Sequence, residues 1–600
     1  MKMKRLVSSA LALILLVSLP VSALAADWYL EDGNITVSAD SSGQTVSQGG
    51  TSVADDAPVI KQRDSSAATD STITISTSGD ATANVTIEDV NIISSGDSID
   101  VGSSSANITL EGDNKMFSES GSGLHVSDGD VTITGSGSLE AEIGGENGTY
   151  NSNAKIGSHE DEDMSGSIHI TGDATVTTKY DSGSGDGAGI GSGDDGDMSG
   201  SITIDGNAKV DASSHFDGAG IGSGDGGEMS GDITIGGNAQ VTAGSRDESA
   251  GIGSGNEGSI TSTGRIIIRD SAKVKAIGEN EGAGIGSGED VPMAGLIIIQ
   301  DNAQVTVIAG EQAAAIGSDD KDDMTGTILI LGNVRITTGI LLDDDVWFDY
   351  ETKEIKYTLD ENAIGYIGDG QDSNHASNSG HYVIGPDVTI NGISGSDIEA
   401  LKDYINMRLS GENNDGEPEN LTKLDISSEN GEFTVTAEGE GTVEKILYDG
   451  SETVPTAPGT YPVTCVVRLG DETIEFQIGT FVVPEPKSPA EAVQSAPLYR
   501  VTDNDGVDID YKAEKNDDVL TITADEYHAI LTGTLAGIEQ LKVQGVEKII
   551  FVTNGASSAF SLNDLLEMGE SGETYKLTHN DSSVSFTIGA KETDISSIIE

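Results

Sequence analysis

The sequence is poor in cysteine, aromatic residues and basic residues, and each shortage excludes a class of protein. One cysteine, Cys465, in a chain of 600 residues excludes an internal disulfide framework. Aromatic residues make up 4% of the chain, which argues against a large globular core and against an aromatic-lined pocket. The chain has 31 Lys and Arg residues and 101 Asp and Glu residues, which gives a formal net charge of -70. This charge disfavours nucleic acid and anionic membranes as partners.

Long apolar runs are also missing, except at the start of the chain. There Lys2, Lys4 and Arg5 precede the run LVSSALALILLVSLPVS, and residues 23–25 form an Ala-Leu-Ala cleavage site. Residues 1–25 are therefore predicted to be a signal peptide, and the mature protein is expected to be secreted or extracellular, and possibly associated with the cell surface. No later segment holds 18 consecutive apolar residues, so we expect no membrane insertion.

Glycine is abundant, with 78 residues, and much of it recurs in one phrase. GAGIGSG occurs at 187–193, 218–224 and 282–288, as SAGIGSG at 249–255 and as AAAIGSD at 313–319. We interpret the glycines as residues that supply positive φ and a tight corner around one inward Ile. A phosphate-binding loop is disfavoured because it would occur once and open a helix.

Short apolar strands recur with this phrase. The first strand of each repeat ends at Ile87, Leu110, Ile133, Ile170, Ile204, Ile235, Ile268, Ile299 and Ile330, with steps of 23 residues at first and of 31 to 37 later. Each longer repeat adds a second strand of the type AKV or AQV and a third strand in the glycine phrase. Three short strands per repeat predict an all-β chain that forms a right-handed parallel β-helix (solenoid), followed by small β-sandwich-like modules.

Equivalent residues of successive coils should then form columns inside and along the β-helix. Ile and Val are expected to point inward, and turn residues are expected to stack. An asparagine column is predicted from Asn207, Asn238, Asn302 and Asn333, and a methionine column from Met164, Met198, Met229, Met293 and Met324. We interpret both columns as structural.

Breaks in the repeat divide the chain. The predicted domains are a signal peptide at 1–25, an N-terminal cap at 26–66, the β-helix at 67–340, a C-terminal cap with a helix at 341–411, an immunoglobulin-like β module at 420–484, a linker at 485–497 and a β-rich module at 498–600. The cap brings Trp347, Phe348 and Tyr350 to cover the last coil. Its helix is expected to begin with a capping box of Ser396 and Glu399, and Cys465 is expected to be buried in a strand.

The surplus residues of the longer coils are acidic loops such as GSGDDGDMSG, which stacking should align along one edge. Repulsion between stacked carboxylates favours a bound cation, and Ca²⁺ fits best because it takes six to eight oxygen ligands and is available outside the cell. The candidate ligands are Asp161, Asp163, Asp194, Asp195, Asp197, Asp225, Glu228, Asp319, Asp320 and Asp322. Simple solvated acidic turns remain the alternative, since no loop matches an EF-hand.

Catalysis is not expected. A pectate-lyase-like site needs an Arg or Lys base beside bound calcium, but only Lys321 lies inside an acidic loop. A glycosidase needs two carboxylates at a fixed separation, and in so acidic a chain any pair is uninformative. The eight histidines are scattered through the sequence.

Residues 106–141, followed by GAGIGSG and SITIDGNAKVDA, resemble the β-helical carbohydrate-binding domain proteins and GAGIG-repeat surface proteins of Gram-positive bacteria, which have a pectate-lyase-like fold. The resemblance covers roughly residues 70–340. It implies a secreted or cell-surface, non-catalytic, calcium-assisted protein that binds a plant or microbial cell-wall polysaccharide. A structural or adhesin protein without specific glycan binding is the alternative, and a polysaccharide lyase is a more distant one.

Overall fold

The structure of the chain is a computed structural model, which describes residues 26–592 apart from 146–149, 181–183, 290, 311–312, 320–323, 350–353, 360–364, 369–379, 403, 406–418, 430–431, 471, 484–497, 505, 517, 567, 570–572, 581–582 and 590. The predicted signal peptide and linker lie outside the described residues, as do Asp320, Lys321, Asp322 and the side chains of the three cap aromatics.

The predicted fold class is confirmed: successive coils stack into a β-helix, and their mainly parallel strands form three long sheets, one on each face. The first sheet contains Asp27–Tyr29, Val59–Lys61, Thr82–Glu88, Ser105–Glu111, Asp130–Gly135, Ser167–Ile170, Ser201–Ile204, Asp232–Ile235, Arg265–Ile268, Leu296–Ile299, Thr327–Ile330, His381–Ile384, Leu421–Glu429 and Glu432–Gly439. The second contains Asn91–Ser94, Asp113–Ser118, Ser138–Ile143, Thr175–Tyr180, Lys209–Ser213, Gln240–Gly244, Lys273–Ile277, Gln304–Ala309, Arg335–Asp349, Thr389–Ile390 and Ile393–Ser394, with Glu354–Leu359 paired to Arg335–Asp349.

The third sheet carries the glycine phrase. It contains Ile35–Asp40, Gly43–Gln48, Thr51–Ala54, Ile73–Thr77, Ile99–Gly102, Leu124–Val126, Ile156–Gly157, Ile190–Gly191, Ile221–Gly222, Ile252–Gly253, Ile285–Gly286, Ile316–Gly317 and Ile367–Gly368. A 3-10 helix at Leu30–Asp32 follows the first strand of the chain. Parallel strands of these stacks therefore also come from residues before 67 and after 340.

The predicted interior columns are present. Ile204 is in register with Ile235, which is in register with Ile268, and all three are fully buried. The asparagine column is a hydrogen-bonded ladder, in which the Asn238 amide donates to Asn207 over 3.1 Å. The methionine column forms β-bridges from Met164 to Met293, and Ile260 takes the methionine position in one coil. Burial of one such apolar side chain per strand contributes about 1.5–3 kcal/mol.

The glycines of the repeated phrase are corner residues, as predicted. Gly222 has a φ of 143°, and a Cβ atom there would lie 1.7 Å from the carbonyl oxygen of Gly253. Gly220 has no positive φ, but its Cβ would lie 2.6 Å from the backbone nitrogen of Gly244. Glycine is therefore required at two positions for two reasons: Gly222 adopts the positive φ of the turn, and Gly220 leaves room for the backbone of the neighbouring coil.

The helix expected in the C-terminal cap is one short turn, Ile398–Leu401, within the described residues. Its N-cap is Asp397, whose carboxylate accepts from the Ala400 amide over 3.2 Å, so the expected Ser396 capping box is wrong. Asp caps as well as Ser does, and the Ser396 hydroxyl donates instead to the carbonyl of Pro386. The rest of the predicted helix lies largely outside the described residues.

An antiparallel sheet of Thr442–Tyr448, Gly459–Leu469 and Glu472–Val483 follows the β-helix. Its Cys465 is buried, as predicted, and belongs to a cluster with Leu329 and Val383 of the first sheet. Part of the predicted 420–484 module therefore shares a core with the outer face of the solenoid.

The chain divides into two compact units, one of residues 1–455 with 461–481 and one of 456–460 with 482–600. In the second unit, one sheet contains Tyr499–Thr502, Ala529–Thr534, Thr574–Asn580, Ser583–Ile588 and Lys591–Glu592, and the other contains Tyr511–Asn516, Val519–Ala524, Lys548–Val552 and Ser557–Ser561. Helices Leu535–Val543 and Leu562–Leu566 complete its separate core. Within the described part of the chain, no helix is long and apolar enough to cross a membrane.

Candidate functional site

The acidic loops lie one above another along one edge of the β-helix. The Asp161 amide donates to the carbonyl of Asp194 over 2.8 Å, and the Asp195 amide donates to that of Asp225 over 2.8 Å. Asp161 and Asp195 both have left-handed backbone conformations, with φ of 60° and 56°. The loops are thus equivalent tight turns, joined by backbone hydrogen bonds from one coil to the next.

The structure separates the predicted ligands by exposure. Asp161, Asp163, Asp195, Asp197 and Glu228 are exposed, Asp194 and Asp225 are half-buried, Asp319 is buried, and Asp320 and Asp322 lie outside the described residues. The carboxylate of Asp163 accepts from the Asp197 amide over 3.1 Å, and that of Asp197 accepts from the Glu228 amide over 2.9 Å. Two of the exposed carboxylates thus have a structural role, since each accepts a backbone hydrogen bond from the next coil.

The half-buried Asp194 and Asp225 lie near two further aspartates that the sequence analysis did not identify. The first four phrases are each preceded by an acidic residue, and the loop that follows the next phrase folds back onto it at Asp186, Asp217 and Glu248. The Asp225 amide donates to the carbonyl of Asp186 over 3.1 Å, and the Asn256 amide donates to that of Asp217 over 2.8 Å. We call Asp186, Asp194, Asp217 and Asp225 the acidic row. The signal was present in the letters, since GAGIGSG is flanked by Asp on both sides at 186–194 and 217–225.

The acidic row is electrostatically unfavourable without a cation. Burial, together with repulsion from neighbouring carboxylates, raises the pKa of Asp194 to about 6 and the pKa values of Asp217 and Asp225 to about 7. The pKa of Asp186 is also raised, chiefly by burial. The Oδ1 atom of Asp225 is buried and accepts no hydrogen bond within the described structure.

One buried cation lies at the head of the acidic row. Lys155 occupies the place that glycine takes in the later phrases, is fully buried, and donates to the carbonyl of Gly187 over 3.0 Å. Burial lowers the pKa of Lys155 to about 7, against the attraction of Asp186. Carboxylate oxygens dominate the rest of the row, and such hard oxygen donors suit Ca²⁺.

A polar groove runs across the second sheet. It has a volume of about 470 Å³ and crosses five consecutive coils, from the strand at 175–180 to the strand at 304–309. Along one line of register lie Thr175, Lys209, Gln240, Lys273 and Gln304. The parallel line beside it contains Thr177, Asp211, Thr242, Lys275 and Thr306.

The groove gathers cations that are scattered in the sequence. Lys209, Lys273 and Lys275 all line it, although the chain as a whole carries a charge of -70. Among the described residues that line the groove, Asp211 is the single carboxylate and none is aromatic. The groove therefore offers ammonium, amide and hydroxyl groups that repeat from coil to coil, about 4.8 Å apart.

Comparison with known proteins adds no identification: no protein-family profile, curated protein or solved structure matches this chain.

Proposed function

We propose that this protein is exported and that it binds a cell-wall polysaccharide along the polar groove without cleaving it. The observation that carries the proposal is the register of Lys209, Gln240, Lys273 and Gln304 across consecutive coils. A polysaccharide repeats the same hydroxyl groups at regular intervals, and this line of donors and acceptors repeats too. The resemblance of residues 70–340 to carbohydrate-binding β-helix proteins supports the same function.

Calcium is the second part of the proposal. The acidic row crosses coils that also form the groove, since Asp186 to Asp225 belong to the repeats of the strands at 175–180 and 209–213. A Ca²⁺ ion held by these carboxylates would remove their repulsion and fix the register of the coils. We therefore expect calcium to strengthen polysaccharide binding without contacting the sugar.

The test is binding of the purified full chain to a panel of insoluble plant and microbial polysaccharides, in millimolar calcium and in excess chelator. We expect retention on at least one uronate-containing or neutral polysaccharide, weakened by the chelator. The double variant Lys273→Ala with Gln240→Ala should lose retention. The control Arg265→Ala removes an exposed cation from the first sheet and should retain binding.

Two outcomes would overturn the proposal. Absence of binding to every polysaccharide under both conditions would favour a structural or adhesive surface protein. Release of unsaturated sugars that absorb in the ultraviolet would show a polysaccharide lyase.

A further inference from the structure

Two histidines that are distant in sequence lie face to face on the third sheet. The strand Leu124–Val126 lies between Ile99–Gly102 and Ile156–Gly157, which places His125 beside Asp100 in register. His159 follows the last of these strands. The imidazole rings of His125 and His159 are stacked, with centroids 3.8 Å apart and planes inclined by 8°. Three consecutive coils therefore contribute to one cluster.

Each ring turns one nitrogen towards Asp97, and the same nitrogen of His125 also faces Asp100. His159 Nε2 lies 2.8 Å from Asp97 Oδ1, and His125 Nδ1 lies 3.9 Å from Asp97 Oδ2 and 3.0 Å from Asp100 Oδ1. One ligand atom from each of Asp97, His125 and His159 lies within 4.8 Å of the others. A tetrahedral zinc ion with bonds of about 2.0–2.1 Å needs donors roughly 3.3 Å apart, and the separations in the cluster bracket that value.

The other nitrogen of each ring faces one further carboxylate. Glu162 Oε2 lies 2.9 Å from His125 Nε2 and 3.6 Å from His159 Nδ1. The same oxygen accepts from the His159 backbone amide over 3.3 Å, which holds it under both rings. A carboxylate that accepts the outer N–H of an imidazole fixes its tautomer and leaves the inner nitrogen to bind a metal.

Burial and charge also suit a metal ion. The exposed fractions of the side chains are 10% for His125, 18% for Asp97 and 32% for His159, so the cluster is largely shielded but reachable from solvent. Asp97, Asp100 and Glu162 bring three negative charges to two imidazoles, and a divalent cation would offset most of them. Mixed imidazole and carboxylate donors favour zinc and related transition metals over calcium.

We propose that Asp97, His125 and His159 bind one zinc-class divalent metal ion, with Asp100 as the fourth ligand and Glu162 orienting the ring of His125. The ion would join three coils of the solenoid, and the loop that carries His159 and Glu162 stacks on the loop that carries Asp194. This site is independent of the proposed polysaccharide binding.

The test is titration of the full, untagged chain with zinc after chelator treatment, in millimolar calcium so that the acidic row does not compete. We expect one zinc ion per chain by calorimetry and a zinc-dependent rise in melting temperature. The variants His125→Gln and His159→Gln should lose binding, and Glu162→Gln should weaken it by about 10–100-fold. Cobalt substituted for zinc should give visible absorption bands of a low-symmetry site in the wild type but not in His125→Gln or His159→Gln.

The matched control is His169→Gln. His169 lies 3.1 Å from one carboxylate, Asp205, and the cluster does not include it. This variant should bind zinc as the wild type does. Since the side chain of His159 is more exposed than that of His125, His159→Gln tests the site even if His125→Gln folds poorly. Absence of stoichiometric zinc binding, or binding that survives His159→Gln with an unchanged cobalt spectrum, would overturn the proposal.

Discussion

At the residue scale, Lys155 is an ionisable group in a place built for glycine. It is fully buried, and burial lowers its pKa from 10.5 to about 7. Between these two values the unfolded chain binds more protons than the folded one, so Lys155 makes stability rise with pH over this range and costs most at pH 7 and below. Its acceptor, the Gly187 carbonyl, also accepts from the Ser214 hydroxyl over 2.9 Å and would keep that partner without Lys155.

We therefore predict that Lys155→Met stabilises the protein. The gain in the free energy of unfolding should be at least about 1 kcal/mol at pH 7, because an apolar side chain of similar volume replaces a buried charge. It should shrink towards pH 10, because the cost of deprotonating the lysine on folding falls as the pH approaches its unfolded pKa of 10.5. Urea unfolding at the two pH values measures both. Lys115→Met, at an exposed position, should change neither value, and destabilisation by Lys155→Met at pH 7 would contradict the prediction.

Single residues also show how far the sequence could be interpreted. The role of the phrase glycines followed from their recurrence, because positive φ and lack of space leave few alternatives to glycine. Asp186 and Asp217 were not predicted because they precede the phrase, whereas the surplus acidic residues that distinguish the longer coils follow it. The flanking Asp residues were visible in the sequence, but their proximity to Asp194 and Asp225 depends on how one loop folds onto the previous coil. His125 and His159 were also not predicted, because they are distant in sequence and only the stacking of successive coils brings their rings together.

At the element scale, the acidic row should control how the coils respond to pH and calcium. The raised pKa values of Asp194, Asp217 and Asp225 mean that their contribution to stability is fully present below about pH 4 and is lost as the pH rises through about 7. Calcium would offset this loss at neutral pH by binding the ionised form.

We predict that Asp225→Asn raises the melting temperature at pH 8 in chelator, by a few degrees, and leaves it nearly unchanged at pH 4. Calcium should then raise the melting temperature of the variant less than that of the wild type, since one ligand is gone. Glu228→Gln is the control: it removes an exposed charge from the same edge and should behave as the wild type. Equal calcium shifts in all three proteins would show that the row does not bind the ion.

Elements were predicted best where the repeat was strongest. The three strands per coil and the inward file of Ile204, Ile235 and Ile268 followed from period-2 alternation and constant spacing. The start of the cap helix was misplaced because Ser396 and Asp397 are both good N-cap residues and only tertiary contacts choose between them. The strands that extend the stacks at 367–368 and 381–384 went unrecognised because the paired strands at 335–349 and 354–359 come between them and the last regular coil.

At the scale of the whole molecule, the two compact units should respond to acid in opposite directions. The solenoid unit contains the acidic row, which gains stability as the pH falls from 7 towards 4 in the absence of calcium. The C-terminal unit contains His579, which is fully buried between the hydroxyls of Thr553 and Ser558. Burial lowers the pKa of His579 from 6.5 to about 4, so its unit loses stability as the pH falls through this range.

Calorimetry of the full chain in chelator should therefore show two transitions that move apart or cross between pH 7 and pH 5. The variant His579→Gln should flatten the pH dependence of one transition and leave the other unchanged, which assigns each transition to its unit. A single transition, or two that shift in the same direction with pH, would contradict this expectation.

The hydrogen bonds of the repeat have a further consequence for how the molecule can change length. Ile221 pairs with Ile252 in the same way that Ile190 pairs with Ile221, so each coil contacts its two neighbours through the same set of donors and acceptors. Copying residues 222–252 in tandem, or deleting them, would add or remove one coil. The strands of every other coil would keep equivalent hydrogen-bond partners. Duplication or deletion of one repeat can therefore lengthen or shorten the protein in whole coils without requiring a new fold.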